Sequence, residues 1–259
     1  MKLPVIKIPR WIYVLLGAIP VLLLIAYMDS QQGYKRCRGI NIEIDGGEPE
    51  NYFVSEKDVK NLVIDNGHDD LIGIRFDKID LRKLESRVKS NNLVKSCQVA
   101  RGLGGDLNVS VAQHRPIARL VSASGNNTVA DFYINADGVL ISLSDHYTSR
   151  VILVSGPYFE KLKRIYRKKD QDLVSLLNYI DKDPFWKSQI AQLEIAEDGN
   201  IVMLPQMGSE TIDFGAAIPE EFETRFNKIK IYYTQILPTK GADSYKNVSV
   251  KFKNQIVCE

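Results

Sequence analysis

Residues that could carry acid–base or nucleophilic chemistry are scattered along this chain of 259 residues. The three histidines, His68, His114 and His146, are far apart in sequence. The adjacent carboxylates Asp69-Asp70 and Glu220-Glu221 point apart on any helix or loop, so neither pair has the spacing of an acid–base dyad. No nucleophile elbow, zinc-protease helix motif or nucleotide-binding phosphate loop is present in the sequence. The sequence therefore predicts a protein that is not an enzyme, with no catalytic, cofactor-binding or metal-binding residues.

Two sets of small residues could suggest a functional site but do not have the required spacing. Cys37, Cys97 and Cys258 are too few and too far apart for a Cys-x-x-Cys metal site or a disulfide framework. The sequence allows one disulfide between two of these cysteines, but it favours three free thiols. The glycine-rich segment 102–105 is followed by neither Lys-Ser/Thr nor a predicted helix, so it predicts a turn between strands and not a phosphate site.

The charge of the chain excludes a general attraction to nucleic acid. Lysine and arginine number 34 against 32 aspartate and glutamate residues, so no strong overall field is expected. One local basic run covers 161–169, on a predicted helix whose apolar face includes Phe159, Leu162 and Ile165. Such a run could meet lipid headgroups or an acidic partner, but a solvated helix face is favoured.

An uncharged apolar run extends from Trp11 to Met28, and no similar run follows. Its eighteen residues make about 27 Å of helix, close to the thickness of the hydrocarbon core of a bilayer. The run is longer than the apolar part of a secretory signal and has no small-residue cleavage site at its end, so it predicts a retained transmembrane helix. Basic residues on both sides leave its orientation open. Because a short tail is easier to retain than a large domain, we expect the N-terminus inside and the bulk of the chain outside.

The part of the chain after this run predicts a compact unit of strand, helix, helix, strand and strand. Apolar and polar side chains alternate over 40–44, which is typical of a half-buried strand. Ser55 and Asp58 have the spacing of a capping box at the start of a first helix, and Asp80 can cap a second helix. Two strands then follow on either side of the glycine-rich turn, at 94–101 and 107–111.

The second half of the chain predicts a mixture of helices and strands. Leucine and isoleucine residues over 173–180 have helical spacing, and Asp183-Pro184 ends that helix. A further helix is expected to begin at Pro219 and to end at Pro238. The strands of this half are expected at 190–195, 201–204, 211–214 and 247–257.

Several short segments have the composition and the order of one protein family. They are Asp80–Val88, Val99–Arg101, Leu107–Val111, Arg115–Ala118 and Phe132–Leu140. In this order, after a single N-terminal membrane helix, the chain resembles the FtsQ/DivIB family of bacterial cell-division proteins, and its first unit resembles a POTRA module. The chain departs from the family pattern at Gln113-His114, where Glu is usual, and at Asn92-Leu93, where Pro-Trp is frequent.

The resemblance implies an α+β protein. It has a single N-terminal transmembrane helix, a POTRA-like β-α-α-β-β module and then a mixed α/β "β domain" that ends in a partner-binding terminal strand. The expected segments are a cytoplasmic tail at 1–10, the transmembrane helix at 11–28, a linker at 29–38, the POTRA-like domain at 39–121 and the β domain at 122–259.

The closing segment is the candidate interaction site. Apolar and polar side chains alternate from Val248 to Lys253, which predicts a strand with one packed and one solvated face. A strand with an unpaired side can accept an extended partner by β-augmentation. Phe252 is the first candidate anchor, followed by Lys251, although the pattern fits Phe252 as an ordinary core residue equally well. The expected partner-binding residues are Val250, Lys251, Phe252, Lys253, Asn254 and Ile256.

The resemblance also implies partners and a location. In the FtsQ/DivIB family, this end of the β domain contacts the small single-pass coiled-coil proteins FtsB/DivIC and FtsL. The implied function is a non-enzymatic, single-pass divisome component of the cytoplasmic (inner) membrane. It would recruit division proteins at the septum through periplasmic POTRA and β domains. Two alternatives stay open: a membrane-anchored envelope enzyme with a dispersed site, and a POTRA docking protein of secretion or outer-membrane assembly.

Overall fold

The computed structural model describes residues 17–21, 23–24, 35–45, 53–121, 131–159, 168–241 and 244–259. The contacts within the chain divide it into two compact units. The first unit comprises Met1–Asp45 with Val54–Gln113, and the second comprises Gly46–Phe53 with His114–Glu259.

The first unit is a three-stranded sheet with two helices. Its elements are β1 (Gly39–Asp45), α1 (Glu56–Val63), α2 (Leu81–Lys89), β2 (Val94–Arg101) and β3 (Asp106–Gln113). Strand β3 lies in the centre, parallel to β1 and antiparallel to β2. The predicted order of strand, helix, helix, strand and strand is confirmed.

Local side-chain hydrogen bonds fix the start of each helix in this unit. The Ser55 hydroxyl accepts a hydrogen bond from the Asp58 backbone N–H at 3.1 Å, and the Asp58 carboxylate accepts one from the Ser55 backbone N–H at 3.0 Å. This arrangement is the predicted capping box of α1. The Asp80 carboxylate accepts a hydrogen bond from the Lys83 N–H at 3.1 Å and so caps α2 as predicted.

All three cysteines have free thiols, and their burial differs between the two units. Cys37 and Cys97 are buried in the first unit, whereas Cys258 is half-buried in the second. Burial raises the pKa of Cys97 to about 11, with a further contribution from the nearby Glu85 carboxylate. Burial likewise raises the pKa of Cys37 and of Cys258.

The second unit is built on a nine-stranded mixed sheet. Its strands are β4 (Pro116–Leu120), β5 (Phe132–Asn135), β6 (Leu140–Ser142), β7 (Ile152–Ser155), β8 (Ile190–Ile195), β9 (Asn200–Pro205), β10 (Thr211–Ala216), β11 (Asn247–Ser249) and β12 (Val257–Cys258). Their order in the sheet is β12-β11-β10-β9-β8-β7-β4-β5-β6. The strands predicted over 190–195, 201–204 and 211–214 are confirmed.

Two helical crossovers allow neighbouring strands of this sheet to run parallel. Helices α3 (Lys168–Lys182) and α4 (Pro184–Gln189) connect β7 to the parallel β8. Helix α5 (Phe222–Ile231), a π-helical turn (Tyr232–Ile236) and α6 (Leu237–Lys240) connect β10 to the parallel β11. A parallel pair needs such a crossover because a tight turn can join only antiparallel strands.

Aromatic side chains join both crossovers to the sheet. The ring of Phe226 on α5 stacks on Tyr179 of α3, with the centroids 4.8 Å apart. The same ring lies 4.8 Å from Trp186 of α4 and 5.3 Å from Phe214 of β10. Phe226 therefore contacts both crossovers and the sheet, and its burial fixes where α5 lies above β10.

The helix predicted to begin at Pro219 does not end at Pro238, so this part of the prediction is wrong. The chain continues from α5 through the π-helical turn into α6, and Pro238 lies in the first turn of α6. Proline is tolerated there because the π-helical turn changes the backbone bonding directly before it, with the Leu237 N–H bonded to the Tyr232 carbonyl, and α6 begins a new run of α-helical bonds. Gly241, at φ +92°, terminates the helix.

The apolar run predicted to cross a membrane lies largely outside the described residues, as do its ends, Trp11 and Met28. Residues 17–21 and 23–24 of this run are described and helical. In the described part of the chain, no helix has both the length and the apolar character required to span a bilayer. The basic run over 161–167 also lies outside the described residues.

Candidate functional site

The closing segment of the chain forms two short antiparallel strands and not one long strand. β11 ends at Ser249, and β12 runs back antiparallel beside it, with Val248 opposite Cys258 and Ser249 opposite Val257. Asn254 in the connection has φ +56°, a left-handed conformation that Asn adopts more readily than most residues. The prediction of a continuous strand over 247–257 is therefore wrong, because the chain reverses direction within it.

The reversal of the chain between β11 and β12 gives the six expected partner-binding residues different degrees of burial. Val250 is fully buried and belongs to the core, so its side chain is not part of the surface. Phe252 exposes 43% of its surface, although the alternation predicted that it would pack on the same side as Val250. Ile256 is half-buried, and the other three residues are exposed: Lys251, Lys253 and Asn254.

An ion pair with β10 fixes Lys251. The Lys251 Nζ atom lies 2.6 Å from Oδ2 of Asp213. The same carboxylate accepts hydrogen bonds from the Ser249 hydroxyl at 3.1 Å and from the Asn200 amide at 3.2 Å. Burial acts to raise the pKa of Asp213, but the hydrogen bonds from Lys251, Asn200 and Ser249 outweigh it and hold the pKa below its usual value. The carboxylate is therefore ionised at neutral pH and keeps the ammonium group in place.

A buried lysine on α5 fixes the backbone on either side of Lys251. The Lys228 ammonium donates hydrogen bonds to the carbonyl oxygen of Val250, at 3.0 Å, and to that of Phe252. Burial lowers the pKa of Lys228, and the neighbouring Arg225 lowers it further. Because a buried ammonium needs acceptors, these two carbonyls are held firmly by the helix.

Gly215 allows the closing segment to pack closely on β10. The pairing of β9 with β10 shifts register between Asp213 and Gly215, and Gly215 has φ +84°. A Cβ atom added at Gly215 would lie 2.8 Å from Cβ of Lys251 and 3.0 Å from Nη1 of Arg225. That guanidinium nitrogen donates hydrogen bonds to the carbonyls of Phe214 and Ala216, both at 2.7 Å. Glycine is required here for both its conformation and its lack of a side chain.

The outer side of β12 is an open edge of the sheet. Asn247 and Glu259 exchange both of their backbone hydrogen bonds, at 3.0 and 2.9 Å. Because hydrogen-bonded and non-hydrogen-bonded pairs alternate along antiparallel strands, the N–H and C=O of Cys258 point away from β11. β12 is the last strand of the sheet, and no strand in the described part of the chain pairs with its outer side. The Cys258 backbone is therefore available to an added strand.

The sequence-based reasoning did not single out the residues that hold this segment in place. Phe222, Phe226 and Ile229 form the apolar face of α5, and Arg225 falls on the same face because it is three residues after Phe222 and four before Ile229. The position of Arg225 within the apolar face of α5 was the one feature of the sequence that indicated a buried polar cluster. The contact partners of Lys228 and Asp213 lie 13 to 38 residues away and have no local signature.

The arrangement of Phe252 and Lys251 is suited to binding. Phe252 offers an exposed ring, and the Lys251 ammonium lies 5.3 Å from the ring centroid, a cation–π distance. Among the described residues, no group of three or more His, Cys, Asp or Glu side chains has the geometry to hold a metal ion.

Two family models match the chain. The model described as FtsQ/DivIB, C-terminal related, matches residues 115–259, which is more than half of the chain. A POTRA-like domain model matches residues 35–112. No curated protein matches the chain.

Proposed function

The chain belongs to the FtsQ/DivIB family, and from this premise we propose that it is a non-enzymatic component of the bacterial division machinery that recruits other division proteins at the septum. The family resemblance inferred from the sequence is confirmed. The combination of a POTRA-like domain with an FtsQ/DivIB-related domain supports a role in division.

The proposal includes a single membrane anchor at 11–28. The length and lack of charge of this run support it, and the bulk of the chain would then lie on the extracytoplasmic side of the inner membrane. A reporter enzyme that is active only in the cytoplasm, fused after Glu259, tests this orientation. We expect no reporter activity, and full activity would reverse the orientation.

The proposed partner site is the exposed ring of Phe252 together with the open edge of β12. The open edge is the observation that carries the proposal. An extended segment of a small single-pass coiled-coil protein of the FtsB/DivIC or FtsL type would pair with the Cys258 backbone by β-augmentation. Lys251, Lys253, Asn254 and Ile256 would surround the added strand.

The contacts beneath this site reduce the cost of binding. Lys228 holds the carbonyls of Val250 and Phe252, and Asp213 holds Lys251, so the segment is already ordered before a partner arrives. A rigid binding segment loses less conformational entropy on association than a mobile one. Phe252 is thus presented as a fixed apolar anchor next to a cation.

Replacement of one exposed phenylalanine by alanine tests the anchor. Phe252→Ala should weaken partner binding about tenfold or more, because a central aromatic anchor is a typical hot spot. Phe185→Ala is the matched control, since Phe185 is 46% exposed in the same unit but lies on α4. Titration of labelled partner into each full-length variant in detergent micelles measures the affinity. Equal affinity of Phe252→Ala and Phe185→Ala would remove Phe252 from the site.

Removal of a single outward backbone N–H tests strand addition. Cys258→Pro removes a donor that is not used between β11 and β12, so folding should be retained while partner binding is lost. Cys258→Ala keeps the N–H and should bind with wild-type affinity. Near-ultraviolet circular dichroism verifies folding of both variants. If both bind the partner equally, the partner does not use this edge.

Depletion of the protein in cells tests the overall role. Loss of a division component should give filaments without septa. Undiminished septation with an altered cell wall would instead favour the alternative of an anchored envelope enzyme.

A further inference from the structure

Three segments of the first unit form one ordered surface, which we call the loop face: residues 35–38, 72–75 and 103–105. The Arg36 guanidinium donates a hydrogen bond to the Gly73 carbonyl at 2.8 Å, and the Lys35 ammonium donates one to the Leu103 carbonyl at 3.1 Å. Backbone bonds add to these contacts: Cys37 N–H to Ile74 O and Arg38 N–H to Gly105 O, both at 2.8 Å. The N-terminal segment therefore joins the two loops.

Large aliphatic side chains lie exposed at the tips of both loops. Leu103 exposes 80% of its surface in the glycine-rich turn between β2 and β3, and Ile72 exposes 57% in the other loop. Isolated exposed apolar residues are common on proteins. Here, however, two of them lie on neighbouring loops that the same segment joins, and neither contributes to the core of the unit.

The same surface carries an excess of positive charge. Lys35, Arg36 and Arg38 are exposed and line a concavity of about 870 Å³ between the two loops. Three carboxylates lie nearby: Asp70, which accepts a hydrogen bond from the Ile72 N–H at 3.2 Å, Asp106 beside Gly39 and Gly104, and Asp77, which pairs with Arg75 at 2.7 Å. The Arg75–Asp77 pair is neutral, so three cations face the two remaining carboxylates, and the surface keeps an excess of one positive charge.

The position of the loop face in the chain keeps it close to the proposed membrane helix. The proposed membrane helix ends at Met28, and only six residues lie between it and Lys35. Seven Cα–Cα steps reach at most about 25 Å, so Lys35 must lie within that distance of the end of the helix. This step rests on the proposed anchoring.

We propose that the loop face binds the surface of a bilayer that contains anionic lipid. Leu103 and Ile72 enter the boundary between headgroups and acyl chains, and Lys35, Arg36 and Arg38 meet lipid phosphates. Apolar side chains surrounded by cations are the combination that interfacial membrane sites require, since one part needs the apolar boundary and the other needs anionic headgroups.

Photo-crosslinking of the full chain in vesicles tests insertion of the loop tip. The photoreactive amino acid p-benzoylphenylalanine replaces Leu103 in one protein and Met207 in another, because Met207 is 83% exposed but lies in the second unit. Both proteins are reconstituted in vesicles of phosphatidylcholine with about 30% phosphatidylglycerol, which supplies anionic headgroups. Mass spectrometry then measures the lipid adducts. We expect lipid adducts at position 103 at about ten times the yield at position 207. Equal yields overturn the proposal.

Two further arms test the charge. Lys35→Gln with Arg38→Gln should lower the adduct yield at position 103 by about fivefold for each charge removed. Lys89→Gln with Lys95→Gln removes two charges at the other end of β2 and should leave the yield unchanged. Vesicles of pure phosphatidylcholine should lower the yield as the double replacement does. A yield that is independent of both charge and lipid overturns the role of the cations.

Flotation of the same vesicles separates failure of this inference from failure of the anchor. A chain without a membrane helix does not float with vesicles of pure phosphatidylcholine, whether or not its loop face binds anionic lipid, so failure to float there would refute the proposed anchoring. A chain that floats with both compositions but forms no lipid adduct at position 103 is anchored and has a loop face that does not bind lipid. Adducts at position 103 to another protein would likewise refute the lipid proposal.

Discussion

At the scale of single residues, Asp213 and Lys228 hold the closing segment from two directions. Asp213 pairs with the side chain of Lys251 from β10, and Lys228 binds the neighbouring backbone carbonyls from α5. A charged group with several hydrogen bonds leaves costly unsatisfied partners when it is removed. Replacement of Asp213 should therefore free the Lys251 side chain, whereas replacement of Lys228 should free the backbone of the closing segment.

Asp213→Asn should lower the free energy of unfolding by about 1 to 2 kcal/mol at pH 7. The folded-state pKa of Asp213 is lowered, so the unfolded state binds a proton more readily. The stabilisation is thus present above the unfolded pKa of about 3.9 and is lost as pH falls through the folded pKa. Urea unfolding in detergent at pH 7 and at pH 3 measures the difference between wild type and variant, which should shrink at pH 3. Asp137→Asn, at an exposed turn, should show no such dependence. A difference that is the same at both pH values would contradict the pairing.

Lys228→Met should loosen the closing segment while leaving α5 in place. Methionine fills a similar volume but cannot donate to the Val250 and Phe252 carbonyls, so unfolding should become easier by about 1 to 3 kcal/mol. Hydrogen exchange followed by mass spectrometry should show faster exchange over 251–256 and little change in α5. Lys230→Met, two residues away and exposed, should leave both regions unchanged. Unchanged exchange over 251–256 in the Lys228 variant would mean that the two carbonyls are held by other contacts.

At the scale of elements, Gly215 in β10 allows a close approach that a strand would not otherwise permit. Gly215→Ala should cost about 1 to 2 kcal/mol for its positive φ and about 1 to 3 kcal/mol more for the contact with Lys251. Gly199→Ala is the matched control, because Gly199 has φ +91° but its nearest neighbour is 3.9 Å away. The excess destabilisation of the Gly215 variant over the Gly199 variant, measured by urea unfolding, isolates the steric part. Equal destabilisation of the two variants would show that the closing segment can move away from Gly215 without loss of stability.

Local signals predicted the elements well, because the interactions that set helix and hairpin ends are local. Ser55 with Asp58, Asp80 and the glycine-rich turn act within a few residues, and all were readable from the sequence. The strand end at Ser249 and the helix continuing past Pro238 were not readable. The first depends on a positive φ at Asn254 and on Lys228, and the second depends on a π-helical turn. Such features come from tertiary packing, which no short window of sequence reports.

The location of the candidate site stays a prediction from the sequence, and the contacts that build this segment could not be predicted from it. The sequence pointed to Phe252 and its neighbours, and the structure leaves the ring of Phe252 exposed while placing Val250 in the core. Pairing of β11 with the parallel β10 requires the whole crossover through α5 and α6. That pairing alone brings Asp213 next to Lys251, so the cluster could not be inferred from strand alternation.

At the scale of the whole molecule, we expect the two compact units to unfold as separate cooperative units. Val88→Ala removes buried volume from the first unit, and Leu193→Ala removes it from the second. Each should destabilise its own unit by about 2 to 4 kcal/mol. Hydrogen exchange at increasing urea concentration, read peptide by peptide, should show each variant shifting one transition and not the other. A common shift of both transitions would mean that the chain unfolds as one unit.

The burial of the three cysteines gives the protein an internal chemical reporter. Thiolates and not thiols react, and burial with a raised pKa makes Cys37 and Cys97 slow nucleophiles that alkylating reagents reach only when the first unit opens. Such thiols can persist in an oxidising compartment without forming mixed disulfides. Cys258 is more accessible and lies on the open edge strand, so an added strand should shield it. Its alkylation rate would then report the occupancy of that edge on the intact protein.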